Sequence, residues 1–209
     1  MKNNISMDTK RLRITIGILG IILPWLVVLA TLSFPQSISI TYYSVFAAGC
    51  FISVLGAASS CLFAYKGYEK IDDVFSTVAS IFGILIILFP MTYIENPDIT
   101  TGILHLRSDI SNIFHCISAF GFFGVLAFMS FFLFTKTGGQ MTKQKKIRNI
   151  IYRVCGIGML ASFLLMLLNL IPGVEIYNLT WIVEAIALFF FGFSWIVKSG
   201  AFPFLKDKK

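Results

Sequence analysis

Six times along this chain, about twenty consecutive residues pass with hardly a charge among them, the length of helix that crosses a bilayer. Lipid offers the backbone no hydrogen bonds, so a spanning segment satisfies its own N–H and C=O groups as a helix or within a closed barrel. The runs are continuous rather than alternating, which argues against barrel strands. They cover about 14–33, 43–65, 74–91, 111–134, 149–171 and 179–197. Only 13% of residues are charged and the mean hydropathy is +0.85, whereas about a quarter of a soluble domain is charged. The expected fold is all-α, a single polytopic membrane domain over residues 1–209 built as a bundle of six transmembrane helices. The first run is longer than a signal-peptide core and no small-x-small cleavage site follows it. It reads as a retained helix, loosened at Pro24.

Charge gives the orientation. Lys2, Lys10, Arg11 and Arg13 precede the first run, and Lys66 and Lys70 separate the second from the third. Lys136, Lys143, Lys145, Lys146, Arg148 and Arg153 lie in the 135–153 segment, which ends just inside the fifth run, and Lys198, Lys206, Lys208 and Lys209 follow the last. Of the 17 basic residues, only Arg107 falls on the other side. Basic loops stay in the cytoplasm, so both termini and the basic loop 135–148 are expected there, with the 91–110 loop outside. The net charge of +7 then follows from topology, and no nucleic acid is expected as a partner. The stretch "KTGGQMTKQKKIRN" makes Lys143, Lys145, Lys146 and Arg148 candidate contacts for anionic lipid headgroups.

Cys50, Cys61, Cys116 and Cys155 fall within the runs without a CxxC pair, so they read as packing residues. Phosphate loops, EF-hand loops and dinucleotide fingerprints are missing, and no cofactor is expected. Small residues mark where helices approach closely in lipid. Candidate seams are Gly49, Ser53, Gly56 and Ser60 in the second run and Ser76, Ser80 and Gly83 in the third. Further seams are Ser111, His115, Ser118 and Gly121 in the fourth, and Gly158, Ser162 and Asn169 in the fifth. Trp181, Trp195, Tyr65 and Tyr68 fit interfacial anchors. The halves share no spacing of Pro, Gly or charge that would mark an inverted repeat.

Three polar groups reach one depth. On a rise of about 1.5 Å per residue, His115, Asn169 and Glu184 each lie about one turn below the outer surface, on three different helices. Ionisable groups inside spans usually face the bundle interior and mark functional sites. His115, Glu184, Asn169 and Ser118 are therefore the candidate ligand-binding residues. A different use of the same region is a metal centre from His105, Asp109 and His115 with Glu184 nearby. It needs a break near residue 110, because His115 lies far around a continuous helix from Asp109.

The segments "YKGYEKIDD", "HCISAFGFFGVLAFMSFFLFTKT", "RNIIYRVCGIGML" and "WIVEAIALFFFGFSWIVK" resemble small bacterial six-helix membrane proteins of unknown function. In helix number and size these are loosely similar to the FRAG/DRAM-like proteins. The resemblance runs from about residue 37 onward and implies a multi-pass protein of the bacterial inner membrane. It supplies no activity, and where it would put a histidine this chain has Ile40. The leading expectation is a non-enzymatic protein binding a lipid or small amphiphile in an outer-side pocket. A metal-dependent intramembrane hydrolase and an accessory subunit that meets a membrane-protein partner, or a second copy, through its small-residue stripes are the alternatives.

Overall fold

The computed structural model describes residues 2–166, 168 and 178–207. The described residues form six long helices: α1 Lys2–Thr31, α2 Ala48–Ala64, α3 Lys70–Leu88, α4 Ser108–Phe128, α5 Lys143–Met166 and α6 Leu179–Lys198. Each packs on its sequence neighbours, and α1 meets α6 to close the bundle into a ring. The segments 65–69 and 134–142 and the described C-terminal tail share one end with the start of the apolar part of α1. The segments 32–47 and 89–107 share the opposite end.

Five helices are long and apolar enough to cross a membrane; α2 is apolar but only 17 residues long. The sequence expectation of 43–65 overshoots α2 because Ser39–Tyr43 forms a separate 3-10 turn. Elsewhere the starts of α1, α3, α4 and α5 move outward through polar residues that hydropathy excludes, while α1 and α3 end at Thr31 and Leu88, short of the expected 33 and 91. Helix α1 begins at Lys2 instead of about 14, and ends where Leu32 turns left-handed at a φ of 51°. Helix α5 begins at Lys143, which shortens the expected 135–148 loop. Helix α3 begins at Lys70 because the Asp72 carboxylate reaches back to accept the N–H groups of Tyr68 (2.9 Å) and Glu69 (3.2 Å). That closure leaves no room at Gly67, where a Cβ would lie 2.1 Å from the Asp72 side chain.

Helix α4 continues through a π turn at Met129–Leu133, so the expected run to about 134 holds as one helical rod. The widened turn brings the buried Ser130 hydroxyl to the Tyr152 carbonyl of α5 at 3.0 Å. A two-stranded hairpin, β1 Thr100–Thr101 and β2 Leu106–Arg107, lies in the 91–110 loop; the apolar runs themselves contain no described strand. His105 sits in its turn at a φ of 48°.

The seams are only partly where small residues suggest. Ser76, Ser80 and Gly83 of α3 and Ser111, His115 and Ser118 of α4 face inward. Gly49, Ser53 and Ser60 of α2 face outward, and the buried face of α2 is Phe51, Leu55, Ala58, Ser59 and Leu62. The closest crossing joins α1 to α6 through Gly17 and Gly192, where a Cβ on Gly17 would come within 2.6 Å of the Gly192 carbonyl oxygen. Trp195 and Tyr65 are not interfacial anchors. Both are fully buried, with ring centroids 4.9 Å apart, whereas Tyr68 is exposed.

Candidate functional site

At the opposite end, the polar residues of α4 and α6 meet backbone. Segment 36–43 turns back into the bundle, and its first N–H groups have no helical partner. Glu184 of α6 receives them: the Ile38 N–H donates to Oε2 at 2.5 Å and the Ser39 hydroxyl to Oε1 at 3.0 Å. The same segment is stitched to α6 by the Trp181 N–H donating to the Gln36 carbonyl (3.1 Å). The Asn178 amide donates to the Phe34 carbonyl (3.2 Å). Glu184 therefore does for this turn what an N-cap carboxylate does for a helix.

The α4 stripe performs the complementary task. Helix α3 stops before Pro90, which cannot donate a hydrogen bond and leaves carbonyls open near the helix end. The His115 Nδ1–H donates to the Phe89 carbonyl (2.9 Å) and the Ser111 hydroxyl to the Pro90 carbonyl (2.8 Å). Ser108 donates to the Pro97 carbonyl at 2.8 Å and accepts the Tyr93 N–H at 3.2 Å. The acid takes N–H groups and the imidazole and hydroxyls take carbonyls, as their proton inventories require.

Of the expected quartet, Glu184 and His115 thus serve different segments, Ser118 is buried further along α4, and Asn169 lies outside the described residues. The alternative metal set is not assembled. His105 is exposed in the hairpin turn, Asp109 pairs with Arg107 at 2.9 Å, and His115 points to Phe89. Among the described residues, no group of three His, Cys, Asp or Glu side chains is placed to hold a metal ion.

A cavity of about 700 Å³ opens at the end that carries the described C-terminal tail. Its wall holds six basic residues, Arg13, Lys136, Lys145, Arg148, Lys198 and Lys206, against three acidic ones, Glu69, Asp72 and Asp207. Two of the expected headgroup residues, Lys145 and Arg148, line it; Lys143 and Lys146 are exposed elsewhere on α5.

Three of the cations form a row spaced by aromatic rings. The Arg13 guanidinium lies 5.2 Å from the Tyr68 ring centroid and the Lys198 ammonium 5.1 Å from the same centroid. Lys198 lies 6.0 Å from the Tyr152 ring and Lys145 5.9 Å from it. Phe134 adds a third ring, 4.8 Å from Lys198. Cation–π contact eases desolvation of these groups without neutralising them. Arg13 donates to the Lys198 carbonyl and the Tyr65 hydroxyl, both at 3.2 Å, while its buried Nε–H has no partner among the described residues. Lys145 donates to the Phe134 carbonyl at 3.0 Å. None of the three has a carboxylate within salt-bridge distance among the described residues.

The three acids are already occupied. Glu69 bridges Lys136 at 2.7 Å, Asp72 caps the start of α3, and Asp207 bridges Arg148 at 2.8 Å. The last of these belongs to a strap. Beyond α6 the chain turns at Gly200, whose φ is +71°, forms a 3-10 turn at Pro203–Leu205, and crosses the cavity rim. Arg148 holds it at the Leu205 carbonyl and at Asp207, which also accepts from Thr142. The Arg148 guanidinium draws the Asp207 carboxyl below the usual carboxylate range.

Sequence reading treats Arg13 and Lys198 as topogenic flanks. In the structure α1 runs from Lys2 through Arg13, whose side chain is only 7% exposed, and no pattern in the sequence marks that burial. No family model, curated protein or solved structure matches the chain.

Proposed function

We propose that the chain is a multi-pass protein of the bacterial inner membrane, with both termini in the cytoplasm, that binds the anionic headgroup of a lipid or small amphiphile. The headgroup sits in the basic cavity at the cytoplasmic end. Five helices suited to crossing a membrane support the setting. The observation that carries the site is the row Arg13, Lys198 and Lys145, clustered without carboxylate partners on a cavity wall. Buried cations are normally paired, so an anion that completes the row offsets their desolvation and mutual repulsion. The expectation of an amphiphile ligand is kept and its place moved, because Glu184 and His115 at the other end are engaged by backbone.

The test is native mass spectrometry of the chain extracted from membranes. Anionic lipid retained through delipidation, and lost in the Lys145→Gln, Lys198→Gln double variant, is the expected result. Equal retention of zwitterionic and anionic lipid, unchanged in that variant, refutes the reading.

A further inference from the structure

Resting on that reading, we propose a narrower ligand class: the cavity takes a phosphomonoester, a terminal phosphate carrying close to two negative charges. With Glu69 paired to Lys136 and Asp207 to Arg148, the wall is left with Arg13, Lys145, Lys198 and Lys206 against the single carboxylate of Asp72, a net of three positive charges. A carboxylate or a phosphodiester brings one negative charge and would leave two of these three net positive charges uncompensated. A phosphomonoester brings about −1.5 to −2 at pH 7, with three acceptor oxygens.

Donor supply matches those oxygens. The Arg13 Nε–H is free and buried, and the Lys145 ammonium uses one of its three N–H groups, on the Phe134 carbonyl. The Lys198 ammonium is surrounded by rings and makes no hydrogen bond among the described residues. Three sources of charge-assisted donors on α1, α5 and α6 thus border one cavity, and the exposed Tyr68 ring stands over two of them. Tyr68 would cover the phosphate once bound, leaving the ester oxygen to point out of the cavity. The same phosphate chemistry could arrive on a lipid or on a soluble ester.

The experiment uses the full chain in phosphatidylcholine nanodiscs. Apparent affinity is read from the ligand-dependent rise in unfolding midpoint, for phosphatidate, for phosphatidylglycerol, and for glycerol 3-phosphate added to the water phase. Phosphatidate is expected to bind at least tenfold tighter than phosphatidylglycerol. Arg13→Gln and Lys198→Gln should each weaken it about tenfold, the scale of one lost charge-assisted contact. Lys143→Gln with Lys146→Gln should leave it within about twofold, since exposed lysines contribute only screened attraction. Acidification through the second phosphate ionisation, at a pKa of about 6, should weaken phosphatidate and spare phosphatidylglycerol. That readout on the unaltered chain holds even where a variant fails to fold.

Competition by glycerol 3-phosphate assigns a soluble ester as the source, and its failure beside tight phosphatidate binding assigns a lipid; either supports the phosphomonoester. Equal affinity for the two lipids overturns it and leaves the anionic-headgroup reading standing. Binding of neither overturns both.

Discussion

Glu184 is the residue whose removal tests the fold most directly. Its carboxylate accepts the Ile38 N–H at 2.5 Å and the Ser39 hydroxyl at 3.0 Å. Ser39 can turn its hydroxyl elsewhere, but the Ile38 N–H is fixed in the backbone of a residue only 2% exposed. Glu184→Ala therefore strands one buried amide, at a cost of about 1–3 kcal/mol, and forfeits a charge-assisted bond. A net loss of about 2–3 kcal/mol follows, equivalent to roughly 5–10 °C in unfolding midpoint for a chain of this size. Glu184→Gln keeps one acceptor for the Ile38 N–H and should lose only about 1 kcal/mol. Thermal unfolding in detergent gives the magnitude, and hydrogen exchange at residues 36–40 gives the location. An alanine variant that melts with the parent and keeps Ile38 protected would sink the assignment of Glu184 as a turn cap. A glutamine variant as damaged as alanine would show that the charge itself, not the acceptor, matters.

The remaining predictions concern the helix crossing and the strap. Gly192→Ala drives a Cβ into the α1 backbone at Gly17 and should cost about 1–3 kcal/mol by overpacking; Gly49→Ala, which meets nothing within 4 Å, should be neutral or slightly stabilising in the same melt. The Asp207 carboxyl is drawn low by Arg148, so its hold on the strap is complete above the ordinary carboxylate range and is lost as pH falls through the lowered value. Limited proteolysis of the 199–207 segment should accelerate in acid, and Asp207→Asn should show the fast rate already at neutral pH. A strap whose cleavage is indifferent to both changes would mean that the Leu205 carbonyl contact alone holds it.

The helix count and order were legible because hydropathy and the sorting of basic residues report the same thing by independent physics. Several described departures come from polar groups that a hydropathy window does not weigh. Helix α5 gains a turn through Lys143 and Lys145, α3 gains its start from Asp72, and the apolar "ISITYY" forms a 3-10 turn because Glu184, nearly 150 residues later, supplies its acceptor. The outward stripe of α2 shows the limit of small-residue patterns. Gly and Ser permit close approach, but larger residues on the other face of α2 fill the core, and the tightest crossing uses single glycines on α1 and α6.

The polar residues divide along the same line. A sequence displays Glu184 and His115 because each stands alone in an apolar run, and depth arithmetic places them at one level. Depth carries no azimuth, however, and a lone polar group in lipid must find a partner, most cheaply a backbone group freed at a helix end. That is where both went. Arg13 and Lys198 are hidden by the opposite circumstance: they stand where topology already expects basic residues, so each looks explained. Topology requires only that such charges remain on one side, exposed to water and counter-ions. It gives no reason for Arg13 to be 7% exposed with an Nε–H that has no partner among the described residues, or for three cations to share two tyrosine rings with no carboxylate in salt-bridge range among those residues. Burial beyond what orientation needs is what singles these cations out for the proposed site, and it becomes visible only when α1, α5 and α6 are brought to the same wall.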